Sequence, residues 1–220
     1  MSIAENIDAL RRQLPEKVTL VAVSKTHPVE RLMEAYAAGL RHFGENRVQE
    51  LLPKQGAMPS DVRWHMIGHL QSNKVRSIVP FVHLIHSIES PALLVTVNKE
   101  AERIGRVIDV LLQFHIATEE TKFGLDLEEA LALLGSGVFR SMRNVRIRGV
   151  MGMASFSEDQ EQVRAEFRSL RSIYNELRDG FFSGDAAFDT LSMGMSGDWR
   201  IAVEEGSTLI RVGSAIFGSR

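Results

Sequence analysis

The stretch Val18-Thr19-Leu20-Val21-Ala22-Val23, running on into Ser24-Lys25-Thr26-His27-Pro28, decides how the chain is read. Six apolar or β-branched residues without polar alternation describe a strand buried on both faces, the habit of parallel sheets. Pro28 disfavours helix at His27 and suits the first turn of the amphipathic segment after it, so the order is strand, loop, helix. Lys25 therefore stands at the carboxyl end of a strand, the edge that carries active-site residues in an α/β barrel. Desolvation of a lysine at such a mouth favours the free amine and makes Lys25 a candidate for attack on a carbonyl. The competing reading is a surface lysine in a loop.

Outward from this stretch, the same alternation repeats. Ile3, Ile7, Leu10 and Leu14 recur at helical spacing and predict an opening helix that closes one end of a core. Val29, Leu32, Met33 and Tyr36 give a helix stopped by Gly39; 40–44 is a short strand, and 45–50 opens a helix broken by Pro53. Strands are expected at 64–68, 81–85, 107–114, 145–151, 190–193 and 208–212. Between them lie a short helix after Lys74, a helix begun by Ser90-Pro91 and ended by Gly105, one through Leu127, Ala130, Leu131 and Leu134, one over 160–177, and one over 198–205. Asp109, within the longest apolar run, has no rationale in the sequence. About eight strands alternating with helices, with no composition break, predict an α/β protein: a single (β/α)8 TIM barrel over 1–220 with an extra N-terminal helix. An open doubly wound sheet is the competitor.

Composition narrows the function. Among 220 residues, 44% hydrophobic and 25% charged, there is no cysteine, so disulfides and thiolate metal sites are excluded. The acidic start lacks the basic flank and apolar block of a signal peptide, and no apolar run reaches spanning length, so a cytoplasmic protein without membrane contact is expected. A formal charge of −2 argues against a nucleic-acid surface; Arg140, Arg143, Arg146 and Arg148 read as a solvated loop and strand edge.

In barrels the loops after the seventh and eighth strands commonly hold a phosphate. Here they read Ser192-Met193-Gly194-Met195-Ser196-Gly197-Asp198 and Arg211-Val212-Gly213-Ser214-Ala215-Ile216-Phe217-Gly218. Small residues let amides approach an anion, Ser192 adds a hydroxyl, and Gly213 and Ser214 open a final short helix. Met193 and Met195 can pack a thioether on a flat ring. Asn46 stands at the same edge after the second strand, where capping a helix is its other role. His65 and His69 are four apart but straddle Gly68 with no acidic partner in a metal pattern, so no metal site is expected. Lys122 is the rival amine, in an acid-rich segment that favours an ion pair.

These stretches resemble the pyridoxal 5'-phosphate (PLP) homeostasis proteins, whose fold is like the barrel domain of alanine racemase, a fold-type III PLP-binding barrel. The likeness is carried by 22–26, 43–46, 64–74, 120–124, 191–196 and 211–218, nearly the whole chain in the family's order. It implies that Lys25 forms a Schiff base with PLP, that Arg211 faces the pyridine nitrogen, that Ser192, Gly213 and Ser214 hold the phosphate, and that Asn46 lies beside the ring, where the thioether of Met193 is a further candidate contact. Arg47 and Phe123 depart from the family's usual aromatic and small residues, and Ser214 keeps the hydroxyl of its usual threonine. It further implies a monomeric carrier that holds and exchanges PLP, with apo PLP-dependent enzymes as candidate recipients and no catalytic residues. The alternatives are a racemase-like PLP enzyme and a cofactor-free Schiff-base aldolase. Against a racemase, the chain stops at Arg220, where the barrel closes, and its two tyrosines, Tyr36 and Tyr174, lie on core-facing helix stripes.

Overall fold

A computed structural model describes residues 2–117 and 124–218. Eight parallel strands close into a barrel in sequence order: β1 (Thr19–Val23), β2 (His42–Glu45), β3 (Arg63–Met66), β4 (Leu84–Ile88), β5 (Ile108–His115), β6 (Val145–Met153), β7 (Thr190–Ser192) and β8 (Leu209–Val212). The closing seam pairs Leu20 with Ile210 and Val21 with Arg211. The helices are α1 (Ile3–Arg11), α2 (Val29–Ala37), α3 (Val48–Ala57), α4 (Val75–Ile78), α5 (Pro91–Glu102), α6 (Leu127–Gly135), α7 (Gly137–Ser141), α8 (Gln160–Gly180), α9 (Trp199–Glu204) and α10 (Ser214–Phe217). Burying both faces of each strand explains the unbroken apolar runs. The larger core lies between strands and helices, while Val21, Leu84, Leu111, Met151 and Leu209 form a separate cluster inside the barrel.

Four expectations need correction. The opening helix α1 does not cap an end; it lies beside α2 and α10, with Arg11 donating to Ala38 O and Gly39 O (both 3.0 Å) and Asn6 to Ile216 O (2.9 Å). Pro53 does not break α3: it is exposed, as is Gln49 four residues earlier, so the unpaired carbonyl faces water while Leu51 and Lys54 hold the inner face. The fourth strand begins three residues late and runs on through His86 and Ser87, polar but fully buried. Arg146 and Arg148 are more than the solvated edge expected of them, although Arg146 remains exposed and Arg148 partly so. They donate to the Asp109 carboxylate at 2.7 and 3.0 Å across β5 and β6, and Arg148 also reaches Asp189 at 2.8 Å. Asp109 is thus the acid of an ion-pair cluster at the amino-terminal mouth.

Candidate functional site

The carboxyl ends of β1, β6 and β8, with the loops after β6 and β7, border a cleft of about 570 Å³, lined among others by Lys25, Ser155, Met195, Ser196, Arg211 and Ser214. That volume suits a small molecule. Lys25 is half-buried at the strand end, and the next residue, Thr26, has φ 66°, the left-handed region, alone among the described non-glycine residues. A β-branched residue held there stores about 1–2 kcal/mol of strain, which the surroundings must override. They do so from beneath. The buried Glu45 carboxylate accepts from Ser24 Oγ at 2.6 Å and Lys54 Nζ at 2.7 Å, Lys54 also donates to Ser24 O at 2.9 Å, and Glu50 accepts from Thr26 N at 2.6 Å. Burial pushes the Glu45 pKa up, opposed by its bonds to Lys54 and Ser24.

At β8, Arg211 is buried and donates to Ser192 O (2.9 Å), Ser192 Oγ (2.6 Å) and Gly152 O (3.0 Å), all neutral acceptors. Burial lowers its pKa to about 10, against the opposing charge of Asp198, so it stays a cation at neutral pH. Beside it, Ser196 Oγ accepts from Gly213 N at 3.2 Å and Ala215 N at 3.5 Å. Those converging amides are what an anionic oxygen would satisfy. The loop reaches this position because Gly194 turns at φ 97°, where a Cβ would also lie 2.6 Å from that of Ala202. On the cleft's other wall, the buried Glu166 carboxylate pins Ser155 through N (2.7 Å) and Oγ (2.8 Å).

Behind Arg211 a hydrogen-bonded row of histidines crosses the barrel. Arg63 Nη1 lies 3.3 Å from His42 Nε2, His42 Nδ1 is 2.9 Å from His65 Nε2, His65 Nδ1 is 2.9 Å from His86 Nε2, and His86 Nδ1 is 3.1 Å from Ser192 Oγ. Arginine can only donate, so each ring in turn is the neutral tautomer that carries its proton on Nδ1. Burial agrees: it lowers the His42 pKa to about 4 and drives those of His65 and His86 well below the usual value.

Lys25, Arg211, Gly213 and Ser214 meet in the one cleft. Ser192 and Met193 are fully buried and do not line it; Ser192 serves Arg211 instead. Asn46 lines a neighbouring cleft with Arg47, His69 and Lys74, its backbone so close to Gly68 that a Cβ there would lie 2.5 Å from Asn46 O. His69 pairs with Glu89 at 2.6 Å, whereas His65 is buried and belongs to the histidine row. Lys122 and Phe123 fall outside the described residues. Sequence reasoning passed over Ser196, although it stands in the loop singled out after β7, and it missed Glu45 and Lys54.

Comparison with known proteins shows the family to which this barrel belongs. Residues 1–220 match the family described as alanine racemase, N-terminal domain. A pyridoxal phosphate homeostasis protein of Aquifex aeolicus is 40% identical over 91% of this chain and 86% of its own length. The chain belongs to the pyridoxal phosphate homeostasis protein family. PipY of Synechococcus elongatus, solved with PLP bound, is 41% identical with a TM-score of 0.88, covering 99% of this chain and 100% of that one. An alanine racemase of Clostridium difficile shares the barrel at a TM-score of 0.80 but only 12% identity, over all of this chain and 60% of that one. That likeness extends this family's fold, and nothing more, to the racemases.

Proposed function

We propose that this chain binds PLP reversibly in the cleft at the carboxyl ends of the strands and gives it up to apo PLP-dependent enzymes, without efficient catalysis of its own. The carrying observation is that one cleft joins a lysine amine, a buried guanidinium and a pocket of convergent amides, three groups that fit an aldehyde, a ring nitrogen and a phosphate. The pyridoxal phosphate homeostasis proteins at about 40% identity and the PLP-bound relative support the same reading. The cofactor would supply an aldehyde that condenses with a primary amine, releasing water, to give a Schiff base.

Lys25 supplies that amine. Ser196, Gly213 and Ser214 hold the phosphate, with Ser196 turning from the amides it now satisfies. Arg211 faces the pyridine nitrogen and, as a cation, disfavours its protonation, which weakens the ring as an electron sink. Ser192 acts one layer down by fixing Arg211. Racemisation needs an acid or base on each face of the substrate carbon, and a missing one costs a factor of about 10² to 10⁴. Both tyrosines of this chain are engaged at the opposite end of the barrel: Tyr36 with Asp61 (2.8 Å) before β3, and Tyr174 with Phe188 O (3.0 Å) before β7.

The test is a titration of the purified protein with PLP followed by visible absorbance. The loaded protein is then mixed with an apo-transaminase, beside assays for racemase, transaminase and decarboxylase turnover. Saturable colour, transfer to the apo-enzyme and negligible turnover are expected. Turnover at about 1 to 10³ per second would replace the carrier with an enzyme.

A further inference from the structure

At the amino-terminal mouth, opposite the PLP cleft, His42 opens β2, His65 projects into the barrel from β3, and His83 precedes β4. One ring nitrogen from each lies within 4.8 Å of the other two. His65 is buried, His42 half-buried and His83 exposed, on the wall of a cavity of about 280 Å³ that Asp109, Arg148 and Asp189 also line. We propose that these three histidines are a binding site for a divalent d-block cation, zinc foremost, with its fourth position open to that cavity.

Three neutral imidazoles with one vacant position is a donor set zinc accepts, and the softer thiolate alternative is absent from this chain. With metal–nitrogen distances of about 2.0–2.1 Å, tetrahedral coordination requires nitrogens about 3.3 Å apart. The His42–His65 pair, at 2.9 Å, opens by a few tenths of an ångström, and the widest pair, no more than 4.8 Å apart, closes by about 1.5 Å at most. The exposed His83 side chain has the freedom to make that move.

The proton count balances. His65 binds through Nε2 and keeps its Nδ1 proton, donated to His86 Nε2 at 2.9 Å, so His86 orients this ligand from outside the coordination sphere. His42 binds through Nδ1, moving its proton to Nε2 and releasing the 3.3 Å bond from the exposed Arg63. No proton leaves the protein. Arg63, Arg148 and Lys17 oppose a dication here; Asp109 and Asp189, on the same cavity, offset them.

The test is titration of the chelator-treated full chain with Zn²⁺ against a chromophoric chelator, and with Co²⁺ followed by visible absorbance. One equivalent is expected, with the intense bands of tetrahedral cobalt and a zinc-dependent rise in the melting temperature. His83→Ala, at an exposed position, should fold, retain PLP binding and weaken zinc by at least about 100-fold. His86→Gln should weaken it by about 10- to 100-fold. His69→Ala, a control outside the cluster, should leave it unchanged. No binding by the wild type, or equal affinity in wild type and His83→Ala, would overturn the proposal, and neither result bears on the PLP site.

Discussion

At the scale of single residues, the phosphate contacts can be separated from the rest of the ligand by comparing PLP with pyridoxal. Ser196→Ala and Ser214→Ala should each weaken PLP binding by about 1.5–3 kcal/mol, the worth of a charge-assisted hydrogen bond, and leave pyridoxal binding unchanged in parallel absorbance titrations. Equal weakening of both ligands would move the phosphate elsewhere. Thr26 yields a second expectation. Thr26→Gly removes about 1–2 kcal/mol of left-handed strain but adds about 0.5–1 kcal/mol of chain entropy, so urea unfolding should show stability unchanged or slightly raised. PLP affinity should fall as the Lys25 turn loosens, and a marked loss of stability would contradict the strain. That Lys25, Arg211, Gly213 and Ser214 would share one cleft was legible because strand ends locate them. That Ser196 lines the cleft in place of Ser192 was not, because it depends on the chain reversal at Gly194, φ 97°, which composition does not specify.

At the scale of elements, the Glu45–Lys54 pair joins β2 to α3 and carries the turn that presents Lys25. Lys54→Met leaves a buried carboxylate without its cation and should destabilise the protein by about 3–5 kcal/mol in urea unfolding. Replacing both partners, Glu45→Gln with Lys54→Met, should recover much of that loss. A loss below about 1 kcal/mol from the single change would show that the pair matters little. Sequence pattern read α3 as broken at Pro53 and so lost the helical turn that carries Lys54. It also ended the fourth strand before His86 and Ser87, because a polar residue buried inside a barrel looks like a loop residue until its partner, here Ser192 from β7, is known.

At the scale of the whole molecule, the number and order of strands were readable because each parallel strand is a local apolar run. The barrel interior was not, since its neighbours are distant in sequence: His42, His65, His86 and Ser192 become one row only when the barrel closes. That row makes the metal-free fold acid-sensitive. Its histidines have depressed folded pKa values, about 4 at His42 and well below the usual value at His65 and His86, chiefly by burial. Their contribution is fully present above the unfolded value near pH 6.5 and is lost as pH falls from there toward the folded values. Each such histidine should steepen the decline by up to about 1.4 kcal/mol per pH unit. Urea unfolding in the presence of a chelator, between about pH 7 and pH 5, checks this; stability independent of pH would contradict neutral interior histidines.

The central claim, a carrier whose PLP is held by Lys25, is tested most directly by borohydride reduction of the loaded protein followed by peptide mapping. The pyridoxyl group should be found on Lys25, and Lys25→Ala should take up none. Recovery of the label on Lys122, or uptake undiminished in Lys25→Ala, would contradict it.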